Sequence, residues 1–123
     1  MSREKFSITK RIRSFGFAIA GLKTLFKEEH NSWIHLIIAI GVIILSFVLN
    51  ISFSEWLAVV FAIGFVFVTE IMNTAIENIA DFISLEKHSS IKKIKDLAAA
   101  GVLISAIMAI VIGSIIFIPK IVA

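Results

Sequence analysis

The stretch EIMNTAIENIAD, residues 70–81, places four polar side chains directly after a long apolar run: Glu70, Asn73, Glu77 and Asp81. At about 100° per residue, these four fall within an arc of roughly 80° on one face of a helix. A charged side chain inside a bilayer costs about 2.5–3.5 kcal/mol, so this polar stripe is expected to face other helices or water. Its carboxylates suit Mg²⁺, which takes one or two protein carboxylates and completes its shell with water and phosphate.

Further polar residues occur at the ends of the neighbouring apolar segments. Glu29 precedes the first segment, and Lys95 and Asp96 stand near the beginning of the third. Ser89 or Ser90 is expected to cap the helix that contains Lys95. The pattern predicts a polar site at one membrane interface, suited to a metal ion and phosphate. Spacing alone does not specify the reaction.

The elements that must position these residues are predicted to be membrane helices. Hydrophobic residues make up 59% of the 123-residue chain, well above the roughly 45–50% of soluble domains. Three apolar segments, at about 33–49, 56–84 and 91–118, are long enough to cross a bilayer core, which needs about 20 residues. Residues 1–30 are predicted to form an amphipathic helix on the membrane surface. We expect one membrane-embedded domain, residues 1–123, that is all α-helical.

Two further features of the sequence bear on orientation and packing. Every basic residue except Lys120 either precedes the first segment or lies between the end of the second segment and the beginning of the third, in residues 87–95. The positive-inside rule then predicts a cytoplasmic N-terminus and an outside C-terminus. In the third segment, small residues spaced by four predict a face for close helix packing. These are Gly101, Ser105, Ala109 and Gly113.

The stretch from Glu70 to Asp81 closely resembles the signature E-x-x-N-[ST]-[SA]-I-E-x-x-x-D of the prokaryotic diacylglycerol kinase family. The resemblance extends over nearly the whole chain, at Gly16, Gly21, Leu22, Lys23, Glu29, Glu86, His88, Lys95 and Asp96. It implies an integral inner-membrane lipid kinase with a surface helix and three transmembrane helices per subunit. It also implies a homotrimer with shared active sites, which transfers the γ-phosphate of Mg-ATP to a lipid hydroxyl.

The same resemblance implies a role for each matching residue. Glu70 corresponds to the catalytic general base, and Asn73 to a supporting catalytic residue. Glu29 and Glu77 correspond to the carboxylates that hold the Mg²⁺ of the bound ATP. The remaining nucleotide-binding positions implied by the resemblance are Lys10, Phe17, Asp81, Glu86, His88, Lys95 and Asp96.

The lipid alcohol is left open between diacylglycerol and undecaprenol. Glu29, Asn31 and His35 form the pattern E-x-N-x-x-x-H, which looks more like the undecaprenol kinases of this family. Other diacylglycerol kinases often have an acid at the position of His35 and a serine at that of Ala99. His30 and His35 are themselves interpreted as interfacial or structural, since they show no metal-ligand spacing of a recognised kind.

Two other classes of function are compatible with parts of the sequence. A small proton- or cation-coupled transporter could use Glu70 as its coupling site, although such proteins place the acid near the midplane and show repeated spans. A non-enzymatic assembly protein would not explain the conjunction of acidic and basic residues. The chain has neither a GxxxxGK[ST] loop nor kinase HRD and DFG motifs, which excludes a conventional soluble nucleotide fold. No nucleic-acid partner is expected.

Overall fold

The fold is described by a computed structural model that covers residues 6–86 and 88–123. All regular secondary structure in this part of the chain is helical: α1 (Ile8–Glu28), α2 (Asn31–Val48), α3 (Phe53–Ile83) and α4 (Ser89–Val122). Three helices, α2, α3 and α4, are long and apolar enough to span a membrane. This confirms the predicted all-helical membrane class. Residues 1–5 of the predicted surface helix lie outside the described residues.

The helices pack around α3. Its most extensive contact is with α4. Helix α2 also packs on α3, and α1 touches both α2 and α3. At the end of the bundle opposite α1, a core of Ile51, Val59, Ile116 and Phe117 joins α3, α4 and the α2–α3 turn. The Lys120 ammonium and the Glu55 carboxylate lie 3.2 Å apart at the same end. The two long helices are therefore fixed against each other beyond the apolar region.

Local signals in the sequence explain the start of α3. Asn50 adopts a left-handed backbone with φ of 54°, a conformation that asparagine tolerates better than most residues. Ser52 then forms a capping box, in which its hydroxyl accepts from the Glu55 N–H while the Glu55 carboxylate accepts from the Ser52 N–H. From there α3 continues for 31 residues without interruption. The polar stripe therefore lies on the same unbroken helix as the preceding apolar run.

The end of α1 is held against α2 and α3 by aromatic and polar contacts. Leu25 is buried, and the Phe26 ring lies 5.0 Å from the Trp33 ring and 6.2 Å from the Phe67 ring, measured between centroids. The Trp33 indole Nε1–H donates to the Phe26 carbonyl over 2.8 Å. These contacts place the last turn of α1 at the junction of α2 and α3. Glu28 and Glu29 are thereby brought to the end of the bundle where the polar stripe emerges.

The outer surface of the bundle is more apolar than that of a water-soluble protein. Large apolar side chains such as Ile37, Phe61 and Ile110 are exposed on its outside. The buried polar residues are Ser32, Ser46, Glu70, Asn73, Thr74 and Ser105. An apolar exterior, with a few polar side chains buried between the helices, is the arrangement expected of helices packed in lipid.

The start of α4 differs from the sequence prediction. His88 occupies the N-cap position and makes no side-chain capping bond, while Ser89 and Ser90 already lie inside the helix. The predicted serine cap is therefore wrong, because the helix begins one residue earlier than a serine cap requires. Of the predicted packing face, Ser105 is buried against α3, whereas Gly101 is exposed.

Candidate active site

A polar contact between two membrane helices joins Glu70 on α3 to His35 on α2. The imidazole Nε2 and the carboxylate Oε1 lie 2.9 Å apart. Glu70 is only 2% exposed, whereas the His35 side chain is 22% exposed. A carboxylate removed from water to this degree requires a hydrogen-bonding partner, and His35 supplies it. The most buried acid of the predicted site is therefore held by a residue on another helix.

One turn further along α3, Asn73 and Thr74 contribute buried polar atoms. The Asn73 amide Nδ2–H donates to the Glu77 carboxylate over 3.3 Å, which links two members of the polar stripe. Within the described residues, neither the Asn73 Oδ1 nor the Thr74 Oγ1 has a hydrogen-bond partner. A buried polar atom without a partner costs about 1–3 kcal/mol. Such atoms next to a buried acid are typical of a binding site.

The carboxylates of Glu29 and Glu77 belong to neighbouring parts of the structure. The Asn78 amide on α3 donates to the Glu28 carboxylate over 3.0 Å, and this bond attaches the end of α1 to α3. Glu29 follows Glu28 directly, and Glu77 precedes Asn78 directly. The Glu29 carboxylate accepts a hydrogen bond from the Asn31 N–H over 3.2 Å at the start of α2. Both predicted metal-binding residues therefore adjoin the residues that connect α1 to α3.

The donor set at this junction consists of oxygen atoms. Among the described residues, no group of three acidic or histidine side chains is arranged to hold a metal ion. Mg²⁺ needs only one or two protein carboxylates and takes its other oxygens from water and phosphate. Glu29 and Glu77, with the unpartnered Asn73 oxygen nearby, fit that requirement.

A second group of charges lies where α3 ends and α4 begins. The Lys95 ammonium lies 2.6 Å from the Asp81 carboxylate, and the Lys92 ammonium 2.5 Å from that of Asp96. In the segment between the helices, His88 Nε2 and the Glu86 carboxylate are 3.3 Å apart. These side chains are exposed or half-exposed. The structure thus brings five of the predicted nucleotide-binding residues to one exposed end of the bundle: Asp81, Glu86, His88, Lys95 and Asp96.

The two predicted residues on α1 are placed differently. Phe17 is 70% exposed and lies eight residues before the buried Leu25, which is about 12 Å along the helix axis. Lys10 lies a further two turns away and is also exposed. The single chain therefore does not enclose either residue together with the polar stripe.

His35 is the site residue whose role the sequence did not reveal. The sequence indicates an interfacial or structural role for His35 without a partner, and the structure identifies that partner as Glu70. One signal was present: His35 is the only ionisable residue within the apolar helix α2. An ionisable side chain inside a membrane segment requires a partner, and Glu70 is the most buried acid available to it.

The chain is similar in sequence to known lipid kinases. Residues 16–117 match the family model described as prokaryotic diacylglycerol kinase. The chain is 34% identical over 113 residues to an undecaprenol kinase from Bacillus subtilis (strain 168), covering 92% of both chains. It is 29% identical over 107 residues to a diacylglycerol kinase from Synechocystis, covering 86% of this chain and 61% of that relative.

The family match covers α2, α3 and the polar stripe completely, together with most of α1 and α4. The apolar helices agree with a multi-pass membrane protein, and the names of both relatives describe phosphoryl transfer to a lipid. The chain therefore belongs to the prokaryotic diacylglycerol kinase family and is a kinase-type phosphotransferase that acts on lipids.

Proposed function

We propose that this protein transfers the γ-phosphate of Mg-ATP to the hydroxyl of undecaprenol. Diacylglycerol is the alternative acceptor. Undecaprenol is favoured by the E-x-N-x-x-x-H pattern that ends at His35 and by the match to the undecaprenol kinase, which covers 92% of both chains. The observation that carries the proposal is the Glu70 carboxylate, buried within an apolar bundle and held on one oxygen by His35.

Glu70 acts as the general base in this mechanism. Its carboxylate takes the proton of the lipid hydroxyl while the hydroxyl oxygen forms a bond to the γ-phosphorus. The bond from that phosphorus to the bridging oxygen breaks, and its electron pair leaves with ADP. Phosphoryl transfer depends mainly on in-line positioning and charge neutralisation, so a small number of fixed side chains can support it. Asn73, one turn from Glu70, is proposed to support the same site through its hydrogen bond to the Glu77 carboxylate.

Glu29 and Glu77 are the residues that would hold the Mg²⁺ of the bound nucleotide. Their oxygen donors, their shared position at the α1–α3 junction and the unpartnered Asn73 oxygen support this assignment. When bound, Mg²⁺ neutralises phosphate charge that would otherwise oppose the attack of the lipid oxygen. The Asn73–Glu77 hydrogen bond orients the Glu77 carboxylate toward this role.

The nucleotide is proposed to bind at the exposed α3–α4 end. Lys95 supplies the positive charge for phosphate, and it must exchange the Asp81 carboxylate for a phosphate oxygen. Asp81, Asp96, Glu86 and His88 surround this lysine on the same end of the bundle. In this assignment Asp81 and Asp96 hold lysine side chains in place, whereas Lys95 contacts the nucleotide directly.

Lys10 and Phe17 are proposed to complete the nucleotide site from the surface helix α1. Their exposure within one chain is compatible with a homotrimer in which a neighbouring subunit contributes to each site. The distribution of basic residues supports an amphipathic α1 on the cytoplasmic surface of the inner membrane, a cytoplasmic N-terminus and an outside C-terminus. Residues 1–123 then act as one membrane-embedded kinase domain.

The experiment that tests this function measures transfer of labelled γ-phosphate from Mg-ATP to undecaprenol and to diacylglycerol, presented separately in mixed micelles. The purified protein is compared with Glu70→Gln and with the matched control Glu55→Gln, which changes an acid at the opposite end of α3. We expect labelled undecaprenyl phosphate with the wild type and Glu55→Gln. With Glu70→Gln, the rate falls by about 10²–10⁴-fold because the general base is lost.

Other outcomes have distinct meanings. Labelled phosphatidate without labelled undecaprenyl phosphate identifies diacylglycerol as the acceptor. No labelled product from either lipid, with the protein shown to be folded, contradicts the proposed function and favours the transporter interpretation of Glu70.

A further inference from the structure

His35 stands alone as an ionisable group within the membrane part of α2. No other residue between Asn31 and Val48 is ionisable, and α4 has no ionisable residue between Asp96 and Lys120. On α3 the next acid after Glu70 is Glu77, two turns or about 10 Å further along the axis. On α1, the acids nearest the bundle are Glu28, bonded to Asn78, and Glu29, bonded to the Asn31 N–H. The ionisable group that faces Glu70 from another helix is therefore His35.

The contact between His35 and Glu70 constrains the carboxylate in either protonation state. An imidazole N–H donates to the ionised carboxylate, or a protonated carboxyl donates to the imidazole nitrogen. In both cases one proton lies between Nε2 and Oε1, which are 2.9 Å apart. The hydrogen bond fixes the direction of Oε1 and leaves Oε2 for another partner. A carboxylate with one free oxygen in a fixed direction is suited to accept a proton from a bound alcohol.

The surroundings of His35 strengthen this contact. His35 lies at the wall of a cavity of about 420 Å³ between α2, α3 and α4. Apart from His35 and Ser114, the residues that line the cavity are apolar or glycine, among them Ala39, Val66 and Gly113. A hydrogen bond in such surroundings is stronger than the same bond in water. The imidazole therefore separates an apolar cavity from the buried carboxylate.

We propose that His35 is a positioning residue that holds the Glu70 carboxylate in the orientation required to deprotonate the lipid hydroxyl. This inference rests on the proposed function of Glu70 as the base. His35 itself makes no bond to the reacting atoms. Loss of His35 is expected to lower kcat, because a misplacement of about 1 Å in a reacting group can lower a rate by about 10²-fold.

The test compares three substitutions at one position in the full-length protein. His35→Leu removes the hydrogen bond, His35→Gln retains an N–H donor at similar reach, and His35→Asn carries a shorter amide that does not reach Glu70. His30→Gln is the matched control, because His30 is an exposed histidine at the start of α2. Turnover and the KM values for ATP and lipid are measured for each variant, together with thermal unfolding.

We expect His35→Leu and His35→Asn to lower kcat by about 10–100-fold while the KM for ATP stays within about twofold of wild type. His35→Gln is expected to recover most of the lost kcat, and His30→Gln to match the wild type. If His35→Leu does not fold, the comparison of Gln with Asn tests the same contact. Equal turnover in the Gln and Asn variants, or wild-type turnover in His35→Leu, overturns the inference.

A second measurement follows the contact without enzyme activity. The imidazole ¹⁵N resonances of His35 and His30 are recorded in the wild type and in Glu70→Gln. We expect the His35 resonances to shift and those of His30 to stay unchanged; unchanged His35 resonances contradict the contact. A wild-type protein that phosphorylates neither lipid overturns the proposed function and this inference together. An active wild type with an equally active His35→Leu variant overturns this inference alone.

Discussion

The Lys95 ammonium lies 2.6 Å from the Asp81 carboxylate, and this ion pair connects the start of α4 to the last turns of α3. The residue pair lies at the exposed end of the bundle, where solvent and salt weaken attraction between charges. Its formation therefore leaves Lys95 available to an anion of higher charge, such as a nucleotide phosphate.

The first prediction concerns Lys95. Lys95→Met is expected to raise the KM for ATP by about tenfold, because a charge-assisted contact with phosphate is lost. Steady-state kinetics at fixed lipid concentration measures the change. Lys93→Met, two residues earlier on α4, is the matched control and is expected to change the KM by less than about twofold. Equal effects of the two substitutions would argue for a general electrostatic role of this end of the bundle.

The second prediction separates the roles of Glu70 and Glu77. Glu77→Gln is expected to raise the Mg²⁺ concentration needed for half-maximal rate by about tenfold, because a carboxylate metal ligand is lost. Glu70→Gln is expected to leave nucleotide binding close to wild type. Binding of Mg-ATP at a series of Mg²⁺ concentrations measures the difference. Weakened Mg²⁺-dependent binding in Glu70→Gln, with no change in Glu77→Gln, would reverse the two assignments.

The third prediction concerns the bond from Asn78 to Glu28 at the α1–α3 junction. Asn78→Asp places a carboxylate against that of Glu28, and we expect the last turn of α1 to detach more readily from α3. Asn78→Ala removes this bond and the 2.8 Å bond from the same amide to the Thr74 carbonyl, each of which contributes about 0.5–1.5 kcal/mol. Amide hydrogen exchange over Leu25–Glu28 measures the detachment. Exchange should rise in the order wild type, Asn78→Ala, Asn78→Asp, and a different order would contradict the contact.

The fourth prediction concerns packing between α3 and α4. The hydroxyls of Thr69 and Ser105 are 2.8 Å apart, and Ser105 is 1% exposed. A double-mutant cycle with Thr69→Val and Ser105→Ala is expected to give a coupling energy of about 0.6 kcal/mol, the average for hydrogen bonds between membrane helices. Reversible unfolding in mixed micelles measures it. Strictly additive effects would show that the two hydroxyls are satisfied by their own helices.

The sequence predicted the helices of the fold better than it predicted which of their faces contact each other. Apolar run lengths identified α2, α3 and α4, and the spacing of Glu70, Asn73 and Glu77 placed them on one helix, because both properties are local. The pairing of His35 with Glu70 depends on how α2 lies against α3, and that arrangement leaves no periodic signal. The predicted serine cap of α4 was wrong for a related reason, since three polar residues in a row, His88 to Ser90, do not define one starting position.

The spacing of the site residues in the sequence does not determine the chemical role of each residue. The resemblance to a kinase family supplied general base, metal and nucleotide assignments, and the family match confirmed the membership. The individual roles remain predictions. The structure adds the physical reasons to test them: the burial of Glu70, the unpartnered Asn73 oxygen and the ion pair at Lys95.

The unbroken course of α3 has a consequence for how a lipid and a water-soluble nucleotide meet. A helix of 31 residues is about 46 Å long, which exceeds the roughly 30 Å hydrocarbon thickness of a bilayer. The stripe from Glu70 to Asp81 covers about 16 Å of that length. The rise per residue of the helix sets the spacing of these carboxylates along the helix axis. The positions of the proposed base and metal ligand along α3 therefore follow from the backbone geometry of the helix. One residue inserted between Glu70 and Glu77 would rotate the base by about 100° away from the metal ligand.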